Sequence, residues 1–392
     1  MSKQKQGASR GPARIRHLNR RAVLSHLRYE GDSSRSALGP ALSLSAAAVS
    51  SVMNDLLEDN LVLESENRPR DGRQGRPISL LSLNPNAAFA FGIVLRPTKT
   101  STELGMAWVD YTGKSTALAD LKVEKHQDAE ILIKSIVKAV SLLEAAVPFP
   151  ERVFGLTLAI PGVVENNTIP TSPKLTCIEG SEFIESLRQE IDYPMTLEND
   201  VNLAATSELY QQPRLREIYF AYLYLYTGVG SGISLKGQIL KGSGGWTGEI
   251  GSLHVNRREP NTTSFEHLLT TDGSLADLLK ELGEARDDLD TLADYIDKRD
   301  PHVLEVVDIY CEHICDAINV LNSVLDLDEV LIDFRSDKLF QRLKPRLEIL
   351  LQSSRRQPVI STPLMGKEAT LNGAALAALS HALETIETQN KE

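Results

Sequence analysis

Residues 226–251 read YTGVGSGISLKGQILKGSGGWTGEIG, and nine of these 26 positions are glycine. Ahead of them, residues 217–225 (EIYFAYLYL) form an apolar run that predicts a buried strand. Thr227-Gly228-Val229-Gly230-Ser231-Gly232 is therefore expected to be a strand-end loop whose backbone approaches a ligand closely. Residues 233–235 and 238–240 flank Lys236-Gly237, a two-residue turn of the kind that closes a hairpin. A second loop over residues 242–248 then delivers Glu249. Any one of these glycines is explained as turn punctuation. The cluster as a whole points to a ligand site, because turns alone seldom need so many close approaches.

Working outward, 392 residues with 42% hydrophobic content predict two or three globular domains with ample core. The net charge of -11 hides an asymmetry. Residues 1–90 carry 13 Lys+Arg against 8 Asp+Glu, and residues 91–392 carry 29 against 45. A basic front on an acidic body fits a nucleic-acid module, although a basic terminus alone is often only solvated. Cys177, Cys311 and Cys315 are too few and too oddly spaced for a disulfide framework, which points to a reducing cytoplasm. The longest apolar run, 153–164, is too short to span a bilayer, and residues 1–30 lack a signal-peptide core, so no membrane is expected.

Residues 1–18 (MSKQKQGASRGPARIRHL) are basic, polar and aperiodic, and are expected to be a mobile arm. From Asn19 the pattern is helix, helix, turn, helix. Val23, Leu24 and Leu27 make one helical face, Ser34 is placed to cap a second helix, and Ser45 a third. Pro40 inside the second helix predicts that it is short or kinked. In the third, Val49, Val52, Met53, Leu56 and Leu57 fall at core spacing, leaving Ala46, Ala47, Ser50, Ser51 and Asn54 outside. Small polar and methyl-bearing side chains on such a face suit the edges of bases in a major groove. A generic three-helix contact is the plainer alternative. Residues 61–64 and 78–83 then read as two strands around a loop bearing Arg68, Arg70, Arg73 and Arg76, which suits phosphates or a narrow minor groove.

Asn19-Arg20-Arg21, Ser34-Arg35, Leu44-Ser45, Val49-Ser50, Leu61-Val62, Gly75-Arg76-Pro77 and Asn84-Pro85 resemble the winged-helix start of repressors in the ROK family (repressor, open reading frame, kinase), the group containing xylose and N-acetylglucosamine repressors. Pro161-Gly162, Glu198-Asn199-Asp200 with Asn202, the 227–232 stretch, Gly248-Glu249-Ile250-Gly251 and Gly373-Ala374-Ala375 follow in family order, so the resemblance covers roughly residues 19–385. It implies an α/β fold: an N-terminal winged helix-turn-helix, then an actin-like (sugar kinase/ribonuclease H-like) body of two lobes with a sugar in the cleft. The expected divisions are the arm at 1–18, the DNA-binding head at 19–85, lobe 1 at 86–203 and lobe 2 at 204–392, with the C-terminal helix packing back on lobe 1. Strands over 88–95, 104–110 and 121–123, a helix over 129–146, a strand over 153–160 and a long helix over 303–325 agree with that. Cys311 and Cys315, one turn apart in the last helix among apolar neighbours, read as core rather than metal ligands.

Glu198-Asn199-Asp200 sits between a strand and a helix, where two carboxylates and an amide can grip several hydroxyls, or cap the helix, or both. The resemblance places the general base of ROK kinases on Asp200, a second sugar contact on Glu249 and a third on Glu266, with Gly228 in the loop beside them. Three departures bear on mechanism. Val94, Arg96 and Pro97 stand where ROK kinases have an Asp and the glycines that wrap ATP phosphates, and proline offers no amide donor. The family's zinc site needs a His after Gly-Glu-Ile-Gly and three nearby cysteines, whereas this chain has Ser252 and no cysteine before Cys311. Asp333-Phe334-Arg335 replaces glycines of the adenosine pocket. No cofactor, no zinc and no ATP are therefore expected. The reading is a DNA-binding repressor, not an enzyme, that works as a homodimer or dimer of dimers. Operator DNA would be held by Arg35, Ser45, Ala46, Ala47, Ser50, Ser51, Asn54, Arg70, Arg73 and Arg76, and a sugar effector by Glu198, Asn199, Asp200, Gly228, Glu249 and Glu266. The alternative is an ATP-dependent sugar kinase that kept a DNA-binding head.

Overall fold

The computed structural model describes residues 10–65, 79–124, 127–256, 263–285, 288–352 and 356–388. It opens with three helices, α1 (Arg10–Tyr29), α2 (Arg35–Leu42) and α3 (Ala46–Glu58), and an antiparallel pair, β1 (Val62–Glu64) with β2 (Leu81–Leu83). Ser34 and Ser45 cap α2 and α3 by accepting the Ala37 and Ala48 N–H groups at 3.2 Å each. Pro40 leaves α2 only eight residues long, and Ser43 in the left-handed region turns the chain so that the α2 and α3 axes differ by 118°. Leu24, Leu38, Val52, Met53, Leu56 and Leu81 close the core of this unit.

The arm expected over 1–18 is not what the structure places from Arg10 onward, because α1 begins there. Arg16 and Arg20, one helical turn apart, face Asp55 of α3 and Asp59, which caps its C-terminal end; the Arg20–Asp59 contact is 2.7 Å. Arg16 and Arg20 thus join the two helices, a pairing over long sequence separation that composition does not reveal. Arg70, Arg73 and Arg76 lie outside the described residues.

Two sheets of matching topology follow. In the first, β3 (Phe89–Pro97) pairs antiparallel with β4 (Thr102–Asp110), which carries β5 (Ser115–Ala117) and β6 (Leu121–Val123). On the other side of β3 lie β7 (Val153–Ile160) and, beyond it, β10 (Met195–Asn199), both parallel. α4 (Ala129–Ala146) leads from β6 into β7, and the small hairpin β8 (Val163–Glu165) and β9 (Thr168–Thr171) and helix α5 (Glu182–Glu190) lie between β7 and β10. After α6 (Asp200–Gln211), the second sheet repeats the plan. β11 (Tyr219–Leu225) pairs antiparallel with β12 (Val229–Leu235), which pairs with β13 (Gln238–Ile239), while β16 (Glu329–Phe334) and β17 (Val359–Ser361) continue in parallel. Between β13 and β16 come β14 (His254–Asn256), β15 (Thr263–Ser264) and helices α7 (Phe265–Leu269), α8 (Ser274–Glu281), α9 (Leu289–Asp297) and α10 (Pro301–Leu325); α11 (Asp337–Leu351) and α12 (Ala369–Thr388) complete the chain.

The expected hairpin at Lys236-Gly237 is present, with φ of 48° and 78° at the two turn residues. The loop expected over 227–232 is shorter than read, because β12 starts at Val229 and Gly230 and Gly232 pair within the sheet. A Cβ on Gly232 would lie 2.6 Å from the Val201 carbonyl oxygen of α6. That glycine makes room for a helix rather than for a ligand.

Helices α4 and α5 cover one face of the first sheet, and α12 covers the other; α10 and α11 cover the outer face of the second, and α6 the inner. α6 and α12 thus form a shared layer between the sheets, and α6 runs unbroken across the boundary expected at 203/204. Their crossing is tight enough that a Cβ on Gly373 would overlap the Leu203 carbonyl. Gly373→Ala should therefore destabilise the protein by about 3 kcal/mol through overpacking against backbone that cannot yield. Denaturant titration measures this, and an unchanged midpoint would mean the layer adjusts freely.

Candidate functional site

Asn199 ends β10 and caps α6. Its Oδ1 accepts from the Val201 and Asn202 N–H groups at 2.9 and 3.0 Å, and its Nδ2 donates to the Gly162 carbonyl at 3.0 Å. The capping alternative therefore holds for Asn199, and it aims the next residue. Asp200 lines a cavity of about 1050 Å³ between the sheets, with Glu249, Glu266 and Gly228 on the facing wall. Glu266 is steadied by the Val229 N–H at 2.7 Å.

Burial, reinforced by the Glu249 charge, pushes the Asp200 carboxyl up to about 7; the Val201 N–H and Lys174 oppose it. Burial likewise raises Glu249, helped by Glu266, and raises Glu266 against the pull of the Val229 N–H and Lys174. Lys174, which donates to the Thr227 carbonyl across the cleft, is lowered by burial despite Glu266, Asp200 and Asp272. Asp200, Glu249 and Glu266 around the Lys174 ammonium make an acceptor-rich part of the pocket suited to hydroxyl donors. A carboxyl raised in the folded state stabilises most when protonated, so the contribution of Asp200 is lost as pH rises through about 7. The melting temperature of the ligand-free protein should thus fall between about pH 5 and about pH 8 more steeply than that of Asp200→Asn. Parallel profiles would show that Asp200 titrates normally.

Glu198 does not join this group. Successive strand residues point to opposite faces. Glu198 accepts from the Asn199 N–H and Asn202 Nδ2 at 3.0 and 3.2 Å and pairs with Lys241, so it anchors the start of α6 instead of lining the cavity. Residues that sequence reading missed are Lys174, Tyr224, Tyr226 and Asp272, all in the cavity wall. A lone lysine after Pro173 carries no pattern. Tyr224 reads as a strand residue and Tyr226 as the start of the glycine-rich stretch, and neither position signals that both line the cleft.

The part of the cleft lined by Arg96, Pro97 and Asp333 is differently built. Arg96 lies over Gly105 and donates to Asp120 at 3.0 Å, so it is held by a carboxylate. Asp333 is buried and accepts from the Tyr222 and Tyr226 hydroxyls at 2.7 and 3.0 Å; burial raises its carboxyl while both hydroxyls lower it. The Tyr224 and Tyr226 rings stack 4.6 Å apart beside it. Pro97 pairs with Thr102 at the strand end, where it contributes no amide to a phosphate.

On the head, Ala46, Ala47, Ser50, Ser51 and Asn54 form one exposed face of α3, while Val49, Val52, Met53 and Leu56 are buried opposite. Ser45 is committed to its cap, and Arg35 reaches Asn54 at 3.3 Å and Glu64 at 3.1 Å.

Residues 101–381 match the model of the ROK family. The chain belongs to the ROK family. Among its relatives, a xylose repressor of Staphylococcus xylosus is 22% identical over 93% of this chain and 95% of its own length. Among solved structures, a ROK family transcriptional regulator described as a homolog of E. coli MLC protein superposes with a TM-score of 0.74 at 18% identity, over 95% of this chain and 98% of that one. A ROK family glucokinase from Streptomyces griseus, in complex with glucose and AMPPNP, aligns over 75% of this chain and 100% of its own, with a TM-score of 0.61 at 18% identity. The His and cysteines that the resemblance assigns to a zinc site are not in the sequence beside Gly248-Glu249-Ile250-Gly251. Ser252 follows Gly-Glu-Ile-Gly, Cys311 and Cys315 are buried in α10, and among the described residues no cluster of three metal-binding side chains occurs. Elemental analysis should find no stoichiometric zinc, and one zinc per chain would overturn this.

Proposed function

We propose that this chain is a sugar-responsive DNA-binding repressor whose kinase-like cleft has lost phosphoryl transfer. The observation that carries the reading is one cleft with two differently preserved halves. Asp200, Glu249 and Glu266 converge where a sugar would sit, while Arg96–Pro97 stand where a phosphate cradle would and the tyrosine-bound Asp333 where an adenosine pocket would. The xylose repressor alignment, which spans head and body alike, supports the same reading. Residues 19–85 are then a winged helix-turn-helix, with α3 as the recognition helix and β1–β2 as the base of the wing. A homodimer, or a dimer of dimers, would place paired heads on half-sites about one helical turn or a multiple apart.

A thermal-shift screen over pentoses, hexoses and N-acetylhexosamines tests the effector site, since a ligand at 100 times its Kd stabilises by about 2.7 kcal/mol. An ADP-release assay over the same sugars tests the kinase alternative. Stabilisation without ADP release is the expected result, and turnover with any sugar would replace the repressor reading with an enzymatic one.

A further inference from the structure

The helix that presents Asp200 to the cleft also meets the DNA-binding head at its other end. α6 carries Asp200 as its first residue and, about 15 Å along, Tyr210 near its last turn. The Tyr210 ring meets the edge of Tyr29, the last residue of α1, at a centroid distance of 5.9 Å. The Tyr210 hydroxyl donates to the Thr112 carbonyl at 2.6 Å, which pins this end of α6 to the turn after β4. Arg216 closes the joint. Its Nε donates to the Leu209 carbonyl at 2.9 Å and its Nη2 to the Tyr210 carbonyl at 3.1 Å, so the guanidinium caps the C-terminal end of α6. The same guanidinium lies 3.7 Å from the centroid of the Tyr29 ring. One residue earlier, Arg28 sits over Tyr111 at 5.1 Å. Along its length α6 is held by α12 at the Leu203–Gly373 crossing, so a shift at one end cannot be absorbed in the middle without a clash.

We propose that Arg216 is a positioning residue that ties the orientation of the DNA-binding head to the cleft, by clamping Tyr29 of α1 to the end of α6. For its sugar dependence the inference rests on the proposed function; the joint itself does not. Coupling through such a rigid element is reciprocal, so loosening the head end must be felt at the cleft end.

Two measurements on the full chain separate these parts. The first uses no ligand. Hydrogen exchange at residues 201–205 should accelerate about two- to thirtyfold in Arg216→Met and in Tyr29→Leu, and stay parental in Tyr29→Phe, which keeps the ring. Ile15→Ala, on the exposed side of α1, should change nothing there. Parental exchange in the first two variants, or equal acceleration in Ile15→Ala, would overturn the proposal. The second measurement titrates operator DNA with and without D-xylose, D-glucose and N-acetylglucosamine. The ratio of the two affinities should shrink by about two- to thirtyfold in Arg216→Met and Tyr29→Leu, with the thermal shift given by the sugar retained and Tyr29→Phe unchanged. An unreduced ratio in Arg216→Met overturns the proposal. A parent that answers none of the three sugars counts against the effector reading, while the exchange measurement decides the joint by itself.

Discussion

Glutamate at both Ser50 and Ser51 should reduce specific operator binding at least about hundredfold, with the melting transition of the body unchanged. Both residues are exposed on α3, on the face opposite Val49, Val52 and Met53, so their replacement disturbs no packing, and exposed substitutions of this kind stay within about 0.5 kcal/mol. The effect on DNA is of another size. Carboxylates aimed into a major groove meet two strands of phosphate and the acceptor-rich edges of guanine, and each lost base contact removes about 1–3 kcal/mol. Fluorescence anisotropy at fixed salt, on a duplex selected from random sequence, gives the affinity, and calorimetry gives the stability. Undiminished specific binding would move the recognition surface off α3. The magnitude also separates groove insertion from plain electrostatic attraction, because two added charges among several phosphate contacts would weaken binding to all sequences alike.

The head was legible because its signals are local. Ser34 and Ser45 announce helix starts through chemistry confined to three residues, and the buried positions of α3 follow from a 3.6-residue period. Asn199, Asp200, Glu249 and Glu266 were legible by motif, although only the structure shows Asn199 spending its amide on a helix cap and on Gly162. The misses have a common physical origin in long-range pairing. Arg16 looks like part of a mobile arm until α1 carries it opposite Asp55. The glycines of β12 look like a ligand loop until α6 lies on them. Glu198 shares a motif with Asn199 but takes the other face of the strand, and Lys174, Tyr210 and Arg216 acquire meaning only when segments far apart in sequence meet at the cleft and the head joint.

Asp200→Ala should weaken sugar binding by about 1.5–3 kcal/mol, roughly ten- to a hundredfold, and abolish the response of operator affinity to sugar at concentrations that saturate the parent. The carboxyl sits at the first turn of α6 with its charge disfavoured by burial and by Glu249, so in the empty cleft it is a strained group. The ionised carboxylate accepts a sugar hydroxyl more strongly than the neutral acid does, and binding should therefore strengthen as pH rises through about 7 in the parent and not in the alanine variant. Operator affinity without sugar should stay close to parental, since Asp200 lies at the cleft end of α6 and Asn199, which caps the helix, remains in place. Thermodynamic linkage supplies the check. Operator DNA must change sugar affinity by the same factor as sugar changes operator affinity, so both titrations on one preparation must agree. A repressor released by its sugar gives a factor below one, and a co-repressed one gives a factor above one; release is the expected sign. Equal sugar responses in Asp200→Ala and the parent would place the effector outside this cleft, and with it the link between cleft and head.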